Sequence, residues 1–384
     1  MSSRPARGLE LDPALRTTVI NNSMADSSEF LLVVCQTGAE PALKAEIARQ
    51  WPAFRLSYSR PGFVTFKVPP DCRQAEDFDL LATFARTYAF SLGRIVGNRA
   101  DEMAGEFWKR AEGREVDHLH VWQRDTQLPG ERGFEPGISP LAAEVADTLA
   151  RAEPRGRQAS GPRLVNRKAR AGQTVLDCVL VEPGEWWAGI HRAASVPSRF
   201  PGGVCVASAR TEVVSRTYWK MKEALAWSQL PFEKGDRCAE IGSAPGGASQ
   251  TLLEAGLHVM GIDPADMDET LLGHPHLVHV RKRAADMKRR EFRGLRWLMV
   301  DSNVAPKHTL DTVEAIVTHR EVCIRGMLLT LKLPDWQLAE RIPEYLDRIR
   351  SWDYRYVRAR QLAFNRHEIC VAALRTRSMR RRRK

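Results

Sequence analysis

The sequence predicts an α/β protein in which a doubly wound parallel sheet follows smaller α+β units. From Glu212 onward, apolar strands alternate with helical patterns, which is typical of a parallel sheet covered by helices. The chain has 384 residues, a length that favours two or three domains, and its 43% of hydrophobic residues suffices for packed cores. Before Glu212, shorter strands and helices predict units of a different kind.

In the front part, FLLVVCQ predicts a buried strand from Phe30, followed by a turn at Thr37 and Gly38 and a helix. FVTFKV (63–68) is typical of a second strand. The segment 74–91 has a helical pattern and precedes a strand predicted at 92–96. These elements predict a small α+β unit.

A second front unit follows, and its elements are three strands and one helix. The strands are predicted at 118–124, 174–181 and 185–193, and the helix at 141–150. The link 151–170 has seven basic residues and one acid, so it either binds phosphate or is a solvated loop.

Some aromatic and histidine residues of the chain admit a functional interpretation, but a structural role is favoured. His118 and His120 share a strand face without a third residue at metal-ligand spacing. Trp186, Trp187 and Trp219 could stack on bases, although packing against the core is favoured. No metal site is predicted.

In the rear part, seven strands and four helices are predicted. The strands are at 237–241, 258–263, 277–282, 295–301, 326–333, 354–361 and 367–374, and the helices at 215–228, 246–255, 309–324 and 336–350. Only a short turn around Asn365 separates the last two strands, which predicts an antiparallel hairpin at the sheet edge.

Charge and cysteine content restrict the class of protein. The formal net charge is +11, and residues 375–384 supply seven of the positive charges, so a basic tail is predicted to add affinity for the phosphates of a nucleic acid without specifying sequence. The segment 281–296 has eight basic residues and two acids, which favours either a phosphate-contacting rim or a solvated loop. Seven scattered cysteines without a CxxC pair predict a reducing compartment. Because no apolar run approaches about 20 residues, we expect a soluble, cytoplasmic protein with no membrane partner.

The sharpest motif is RCAEIGSAPGG, in which a strand ends at Ile241 and a Gly-rich turn leads into a helix. Open α/β sheets bind nucleotides at the carboxyl ends of their strands, and glycines allow close approach of the backbone. The next strand, HVMGID, ends in Asp263, where a carboxylate can accept hydrogen bonds from a ribose. Neither GxGxxG nor GxxxxGK[ST] is present, so an adenosine-containing cofactor other than a dinucleotide or a triphosphate is predicted.

The motifs IGSAPGG, MVD at Asp301, LKLP around Lys332 and NRHE around Glu368 resemble those of the FtsJ-type ribose 2'-O-methyltransferases. Upstream, SRTYWKMKEAL resembles the segment that enters the catalytic domain in the M-type family of ribosomal RNA large-subunit methyltransferases. The resemblance implies an enzyme that transfers a methyl group from S-adenosyl-L-methionine to a ribose 2'-hydroxyl of RNA, with large-subunit ribosomal RNA as the expected partner.

The resemblance also implies a domain order. A disordered extension at 1–29 is expected to precede three domains and the basic tail. These are a ferredoxin-like domain at 30–98, a THUMP-like RNA-binding domain at 99–205, a Rossmann-like methyltransferase domain at 206–375 and the tail at 376–384.

Site residues carried over from the resemblance fall into two groups. The implied catalytic tetrad is Lys220, Asp301, Lys332 and Glu368. The implied cofactor contacts are Glu240, Gly242, Ser243, Pro245, Gly246, Gly247, Asp263 and Asp286. The family commonly has Asp where this chain has Glu240, and Ala in many members where it has Ser243.

The residue chemistry favours the same tetrad. A ribose hydroxyl is a poor nucleophile, so methyl transfer needs a base or a group that stabilises the developing alkoxide. Lys332 lies in the apolar strand MLLTLKLP, where an unpaired ammonium is costly, so carboxylate partners are required. The lysine can act as the base if a nearby cation and partial burial lower its pKa. Lys222 remains a rival for Lys220 on spacing alone.

Two other classes of protein remain as alternatives. One is a catalytically silent RNA-binding ribosome assembly factor on the same fold, which the intact tetrad disfavours. The other is an NAD-type oxidoreductase, which the missing GxGxxG disfavours. After the fourth strand the chain reads DSNVAP, which lacks the Asn-Pro-Pro-Tyr-type motif expected of base-methylating relatives.

Overall fold

The computed structural model describes residues 30–74, 78–154, 164–205 and 212–375. The predicted extension, the basic tail and the part 155–163 of the basic link 151–170 therefore lie outside the described residues. The described residues form an eight-stranded sheet in the front part and a seven-stranded sheet in the rear part. No helix in these ranges is long and apolar enough to cross a lipid bilayer.

The front sheet has the strand order β2-β3-β1-β4-β8-β7-β5-β6. Its elements are β1 (Phe30–Val34), α1 (Glu40–Gln50), β2 (Arg55–Arg60), β3 (Phe63–Lys67), α2 (Pro70–Gln74), β4 (Thr87–Val96), α3 (Ala100–Arg110), β5 (His118–Gln123), α4 (Pro140–Arg151), β6 (Leu164–Val165), β7 (Thr174–Glu182) and β8 (Glu185–Arg192). Because β4 pairs with both β1 and β8, the strands before and after residue 98 belong to one continuous sheet.

The helix predicted at 74–91 is wrong. In the described part of this segment the chain leaves the short α2, runs without regular structure from Phe78, and enters β4 at Thr87. Pairing on both sides of β4 buries Tyr88 and Phe90. These two aromatic residues are two positions apart, so they share one face of a strand, where aromatic side chains are favoured. Tertiary pairing therefore overrides the local pattern.

Several elements of the front part have no counterpart in the sequence-based prediction, and β2 and α3 are the longest of them. β2 is polar and mostly exposed, so its sequence carries little periodic signal. α3 buries Met103, Ala104, Phe107 and Trp108, a spacing of three and four residues that the helical template detects.

The rear sheet has the order β11-β10-β9-β12-β13-β15-β14. Its elements are α5 (Thr217–Ser228), β9 (Arg237–Ile241), α6 (Gly247–Glu254), β10 (His258–Ile262), α7 (Glu269–Leu272), β11 (Leu277–Val280), β12 (Trp297–Val300), α8 (Pro306–Val317), β13 (Gly326–Lys332), α9 (Ile342–Ser351), β14 (Tyr356–Arg360) and β15 (Glu368–Leu374). The first five strands in this order are parallel. Their carboxyl ends therefore lie along one edge of the sheet.

The predicted antiparallel hairpin of β14 and β15 is confirmed. The prediction that the hairpin lies at the sheet edge is correct for β14 and wrong for β15. β15 is antiparallel to both β13 and β14, so it lies inside the sheet, and only β14 is at the edge. Every residue of β15 is buried, as its continuous apolar run EICVAAL requires of an interior strand.

The two sheets share a core. The largest apolar cluster contains residues of both, among them Leu31 of β1 and Leu331 of β13. Polar contacts reinforce it: the amide of Gln361 donates to the carbonyl of Thr83 at 2.8 Å, and the Arg360 guanidinium donates to the carbonyl of Arg86 at 2.7 Å. The segment that leads into β4 therefore contacts the hairpin that carries Glu368.

Candidate active site

The four residues of the predicted tetrad come from four elements that meet at the carboxyl edge of the rear sheet. Asp301 directly follows β12, Lys332 ends β13, and Glu368 begins β15. The antiparallel register places Lys332 opposite Glu368. Lys220 reaches the same point from the first turn of α5, and the structure thus brings all four side chains together.

Each carboxylate of this cluster contacts both lysines. Lys332 Nζ donates to Asp301 Oδ1 at 2.8 Å and to Glu368 Oε2. Lys220 Nζ lies 2.5 Å from Glu368 Oε1 and 3.5 Å from Asp301 Oδ2. The rival Lys222 instead donates to the Tyr218 hydroxyl at 2.9 Å, outside the cluster. The geometry therefore favours Lys220.

The paired charges shift the pKa values within the tetrad. Burial alone would raise the pKa of Glu368, but the positive charges of Lys220 and Lys332 lower it to about 2. Burial alone would lower the pKa of Lys332, yet Asp301 and Glu368 raise it. The lowered pKa that a lysine base would need is therefore not found in this arrangement, because two carboxylates outweigh the desolvation of one largely buried ammonium.

The Gly-rich turn begins directly after β9 and touches the tetrad. Gly242 has φ of +82°, and a Cβ there would lie 2.4 Å from the carbonyl oxygen of Asp301. Gly246 also has positive φ, and a Cβ on Gly247 would lie 2.3 Å from Ser215 Oγ. Side chains are thus excluded from the turn by close packing, and of these three glycines only Gly242 is partly exposed.

Asp263 follows β10 at the same edge and is tied to the turn. Its carboxylate accepts the amide N–H of Ala244 at 3.3 Å and that of Ala265 at 2.9 Å. Ser243 Oγ is buried and has no hydrogen-bond partner among the described residues. Pro245 is exposed on the turn. Asp286 is exposed in a short 3₁₀ turn after β11, and its contact with the cofactor stays a prediction.

Glu240 is fully buried beneath the turn and accepts a hydrogen bond from the Ser249 hydroxyl. Burial raises the pKa of its carboxyl to about 8. At neutral pH this side chain is thus mainly a neutral acid, which suits a position that packs under the turn.

This raised pKa predicts a pH-dependent stability. The folded state holds a proton that the unfolded state releases, so the contribution of Glu240 is fully present below the unfolded pKa and is lost as the pH rises through about 8. Glu240→Gln removes this titration. Between pH 5 and 8.5 we expect the wild type to lose on the order of 3 kcal/mol of unfolding free energy relative to the variant.

Denaturant unfolding of both proteins across this pH range measures the difference. Glu269→Gln, at an exposed position of α7, is the matched control and should follow the wild type. Parallel stability curves for Glu240→Gln and the wild type would contradict a buried, protonated carboxyl.

Two neighbours of the tetrad were missed by the sequence-based prediction. Asn365 donates from Nδ2 to Glu368 Oε1 at 3.2 Å, and Glu223 accepts the amide hydrogens of Ala363 at 3.0 Å and Phe364 at 3.2 Å. Asn365 lies in the NRHE motif, three residues before Glu368, and Glu223 lies one helical turn after Lys220. This spacing from residues of the tetrad is the sequence signal from which both neighbours could have been predicted.

The other residues weighed as functional are mostly structural. Trp186 is buried and donates to the Pro183 carbonyl, and Trp187 packs against Phe63. His118 and His120 contact Gln173 and the Arg167 carbonyl. No cluster of three potential metal ligands occurs within the described ranges. Trp219 stacks on Phe364 beside the site, with ring centroids 5.8 Å apart.

The sheet order, the antiparallel seventh strand and the Gly-rich turn after β9 define a mixed α/β domain of the methyltransferase-like class. Residues 213–325 match the FtsJ-like methyltransferase family, which confirms the resemblance seen in the sequence and assigns an FtsJ-like domain to this part of the chain.

Two relatives from different bacteria share this similarity. The chain is 29% identical over 201 residues to ribosomal RNA large subunit methyltransferase M of Xylella fastidiosa (strain M12), covering 50% of this chain and 52% of the relative. It is 30% identical over 182 residues to the protein of the same name in Halorhodospira halophila (strain DSM 244 / SL1), covering 46% and 51%. The chain thus spans about half the length of the curated relatives it matches.

Among solved structures, TrmN from Thermus thermophilus covers 90% of this chain and 99% of its own at 14% identity. The TM-score is 0.34, too low to support a conclusion about the fold.

Proposed function

We propose that the chain transfers a methyl group from S-adenosyl-L-methionine to a ribose 2'-hydroxyl of RNA, with large-subunit ribosomal RNA as the substrate. The observation that carries this proposal is the cluster of Lys220, Asp301, Lys332 and Glu368 beside the Gly-rich turn. The two meet at Asp301, whose carbonyl oxygen lies against Gly242 and whose carboxylate contacts both lysines. The FtsJ-like match and the names of the relatives support the same reaction.

The residues of the turn fit S-adenosyl-L-methionine. A carboxylate has about four acceptor positions, so Asp263 can accept ribose hydroxyls in addition to its two backbone donors. The buried hydroxyl of Ser243, which has no partner among the described residues, would supply a further polar contact. When bound, the cofactor supplies an electrophilic methyl group on a sulfonium. Glu240 would hold the turn from below.

The tetrad acts on the hydroxyl. With its pKa raised, Lys332 is an ammonium ion at neutral pH, so it stabilises the negative charge that develops on the 2'-oxygen. Because Lys332 is already protonated, the hydroxyl proton would pass to solvent, and transfer of the methyl group would leave the cofactor sulfur as a neutral thioether. Glu368 and Asp301 fix the position of this ammonium, and Lys220 balances their charge. Such fixed charges act most strongly where the groups are already in place and partly removed from water.

The front sheet is assigned to RNA binding in this proposal. Residues 30–98 would correspond to a ferredoxin-like domain and 99–205 to a THUMP-like domain, ahead of the methyltransferase domain at 206–375. The contacts of the front sheet with the β14–β15 hairpin support a role in presenting RNA to the tetrad.

The test is transfer of labelled methyl groups from S-adenosyl-L-methionine to ribosomal RNA, followed by nucleoside analysis. RNA from a strain that lacks this protein is the substrate, and RNA from its parent is the control. We expect label on a 2'-O-methylated nucleoside in the first RNA only. Label on a base would contradict ribose methylation, and RNA binding without transfer would instead identify a silent assembly factor.

The basic segment 281–296 provides a prediction about RNA affinity. It begins at the carboxyl end of β11, at the same edge as the turn, and Lys282, Arg283 and Lys288 are exposed without an ion pair to any described residue. Replacing these three with alanine should lower the slope of log affinity against log salt by roughly 0.7 to 0.9 for each phosphate that the protein no longer neutralises.

Filter-binding or fluorescence titration with RNA at several salt concentrations measures this slope. Arg320 and Arg355 are exposed at the opposite edge of the sheet, so Arg320→Ala with Arg355→Ala is the matched control. An unchanged slope in the triple variant would identify the segment as a solvated loop. Deleting residues 376–384 in the same assay tests the basic tail.

A further inference from the structure

The turn between β14 and β15, Gln361–Arg366, is held by hydrogen bonds along its backbone. The five consecutive amides from 361 to 365 all have acceptors: the Gln361 amide donates to the Thr83 carbonyl, the Leu362 amide to Asn365 Oδ1, those of Ala363 and Phe364 to Glu223, and that of Asn365 to the Leu362 carbonyl. A turn with these amides paired is rigid.

Asn365 links this turn to the tetrad. Its Nδ2 donates to Glu368 Oε1 at 3.2 Å, and its Oδ1 accepts the Leu362 amide at 2.8 Å. The side chain is 1% exposed, so water does not compete for these bonds. Asn365 therefore fixes both the turn and the carboxylate that contacts Lys220 and Lys332.

Asn365 is itself held by a residue of the front part, in the segment after β1. Gln36 follows β1, 329 positions earlier, and its Nε2 donates to the Asn365 carbonyl at 2.9 Å. Its Oε1 accepts a hydrogen bond from Gln361 Nε2, which also donates to the Arg366 carbonyl at 2.8 Å. Gln36 is 2% exposed, so a buried amide of the front sheet is bonded to both ends of the turn.

A second connection runs through α1. The buried carboxylate of Glu46 accepts the amides of Thr83 at 2.7 Å and Phe84 at 3.1 Å, and the Thr83 carbonyl accepts the Gln361 amide at 2.8 Å. The front part thus contacts the turn by the side chain of Gln36 and by the backbone at Thr83.

We propose that Asn365 is a positioning residue for Glu368 and that Gln36 holds Asn365, so that the front sheet sets the position of the carboxylate shared by the two lysines. The inference deepens the proposed function and rests on it for its kinetic test. A front sheet that binds RNA would then be coupled mechanically to the tetrad.

The first experiment compares Asn365→Ala with Asn365→Asp in the full chain. The aspartate variant keeps an acceptor for the Leu362 amide but has no donor for Glu368, so the turn should persist while the two carboxylates repel each other. We expect kcat to fall about 10- to 100-fold in both variants, since a displacement of about 1 Å can cost that much, with KM for RNA within about twofold. Wild-type kcat in Asn365→Asp would show that Asn365 only stabilises the turn and would overturn the proposal.

The second experiment tests Gln36. Gln36→Leu should accelerate amide hydrogen exchange across residues 362–365, measured by mass spectrometry, and should lower kcat by about 3- to 10-fold through the same displacement. Tyr88→Phe is the matched control, because it removes one partly buried hydrogen bond of β4, to the Phe78 carbonyl, without a hydrogen bond to the turn. Exchange rates in Gln36→Leu equal to those in the control would overturn the link.

The two experiments separate this inference from the proposed function. If the wild-type chain transfers no methyl group to RNA, the proposed function fails, and hydrogen exchange in Gln36→Leu alone decides whether the front sheet holds the turn. If transfer occurs and neither variant changes kcat, the inference fails and the proposed function stands.

Discussion

Replacing Lys332 with alanine is expected to lower methyl transfer to RNA by about 10²- to 10³-fold, since removal of one preorganised charge-stabilising group has that order of effect. Lys332 contacts both carboxylates of the tetrad, and its raised pKa keeps it charged at neutral pH. The variant leaves the Gly-rich turn unchanged, so affinity for S-adenosyl-L-methionine should stay within about threefold. Single-turnover transfer of labelled methyl to ribosomal RNA measures the loss.

The control for this variant is Lys222→Ala. Lys222 lies two residues from Lys220 and contacts the Tyr218 hydroxyl instead of a carboxylate of the tetrad, so it should retain transfer close to that of the wild type. Thermal unfolding of both variants shows whether the loss of one cation from a cluster of two carboxylates has weakened the fold. Full activity in a folded Lys332→Ala protein would contradict the assignment of the tetrad.

Much of this site could be predicted because its residues lie at strand ends. Asp301, Lys332 and Asp263 each terminate an apolar run, and parallel strands bring their carboxyl ends to one edge. The Gly-rich turn is similarly local, since its glycines and the preceding strand are contiguous. Periodicity and motif spacing therefore sufficed for the rear strands and for the elements that carry the tetrad.

Other features depend on contacts between residues far apart in the chain. β4 resembles a helix locally and is a strand only because β1 and β8 pair with it. The position of β15 inside the sheet follows from its pairing with β13 rather than from the hairpin itself. The bond between Gln36 and Asn365 joins residues 329 positions apart, and no spacing rule reaches that distance.

The pKa of Lys332 shows the same limit for electrostatics. Burial in an apolar strand would by itself lower the pKa of a lysine. This direction holds only if no carboxylate lies near the ammonium group. Two carboxylates within hydrogen-bonding distance reverse the direction of the shift. The sequence identified the four groups that the structure brings together, but the sign of the shift depended on their mutual distances.

Asp263→Ala is expected to weaken binding of S-adenosyl-L-methionine by about 10- to 100-fold, since a hydrogen bond to a charged group contributes roughly 1.5–3 kcal/mol. A substitution in the turn itself, such as Gly246→Arg, would test the cofactor site less cleanly than Asp263→Ala. Even a Cβ at Gly246 would lie 2.4 Å from Leu271 Cδ1 and would disturb the packing of the turn. Titration calorimetry on the full chain measures the affinity.

Asp266→Ala provides the matched control for this loss. Asp266 lies three residues further along the same loop, is exposed, and pairs with Arg281 at 3.0 Å instead of the turn. Its removal changes the net charge by the same amount, so any general electrostatic effect on the cofactor appears in both variants. A loss of affinity confined to Asp263→Ala assigns the effect to hydrogen bonding at the end of β10. Equal affinities in both folded variants would instead exclude Asp263 as a cofactor ligand, while leaving the tetrad and its effect on the hydroxyl to be judged by Lys332→Ala.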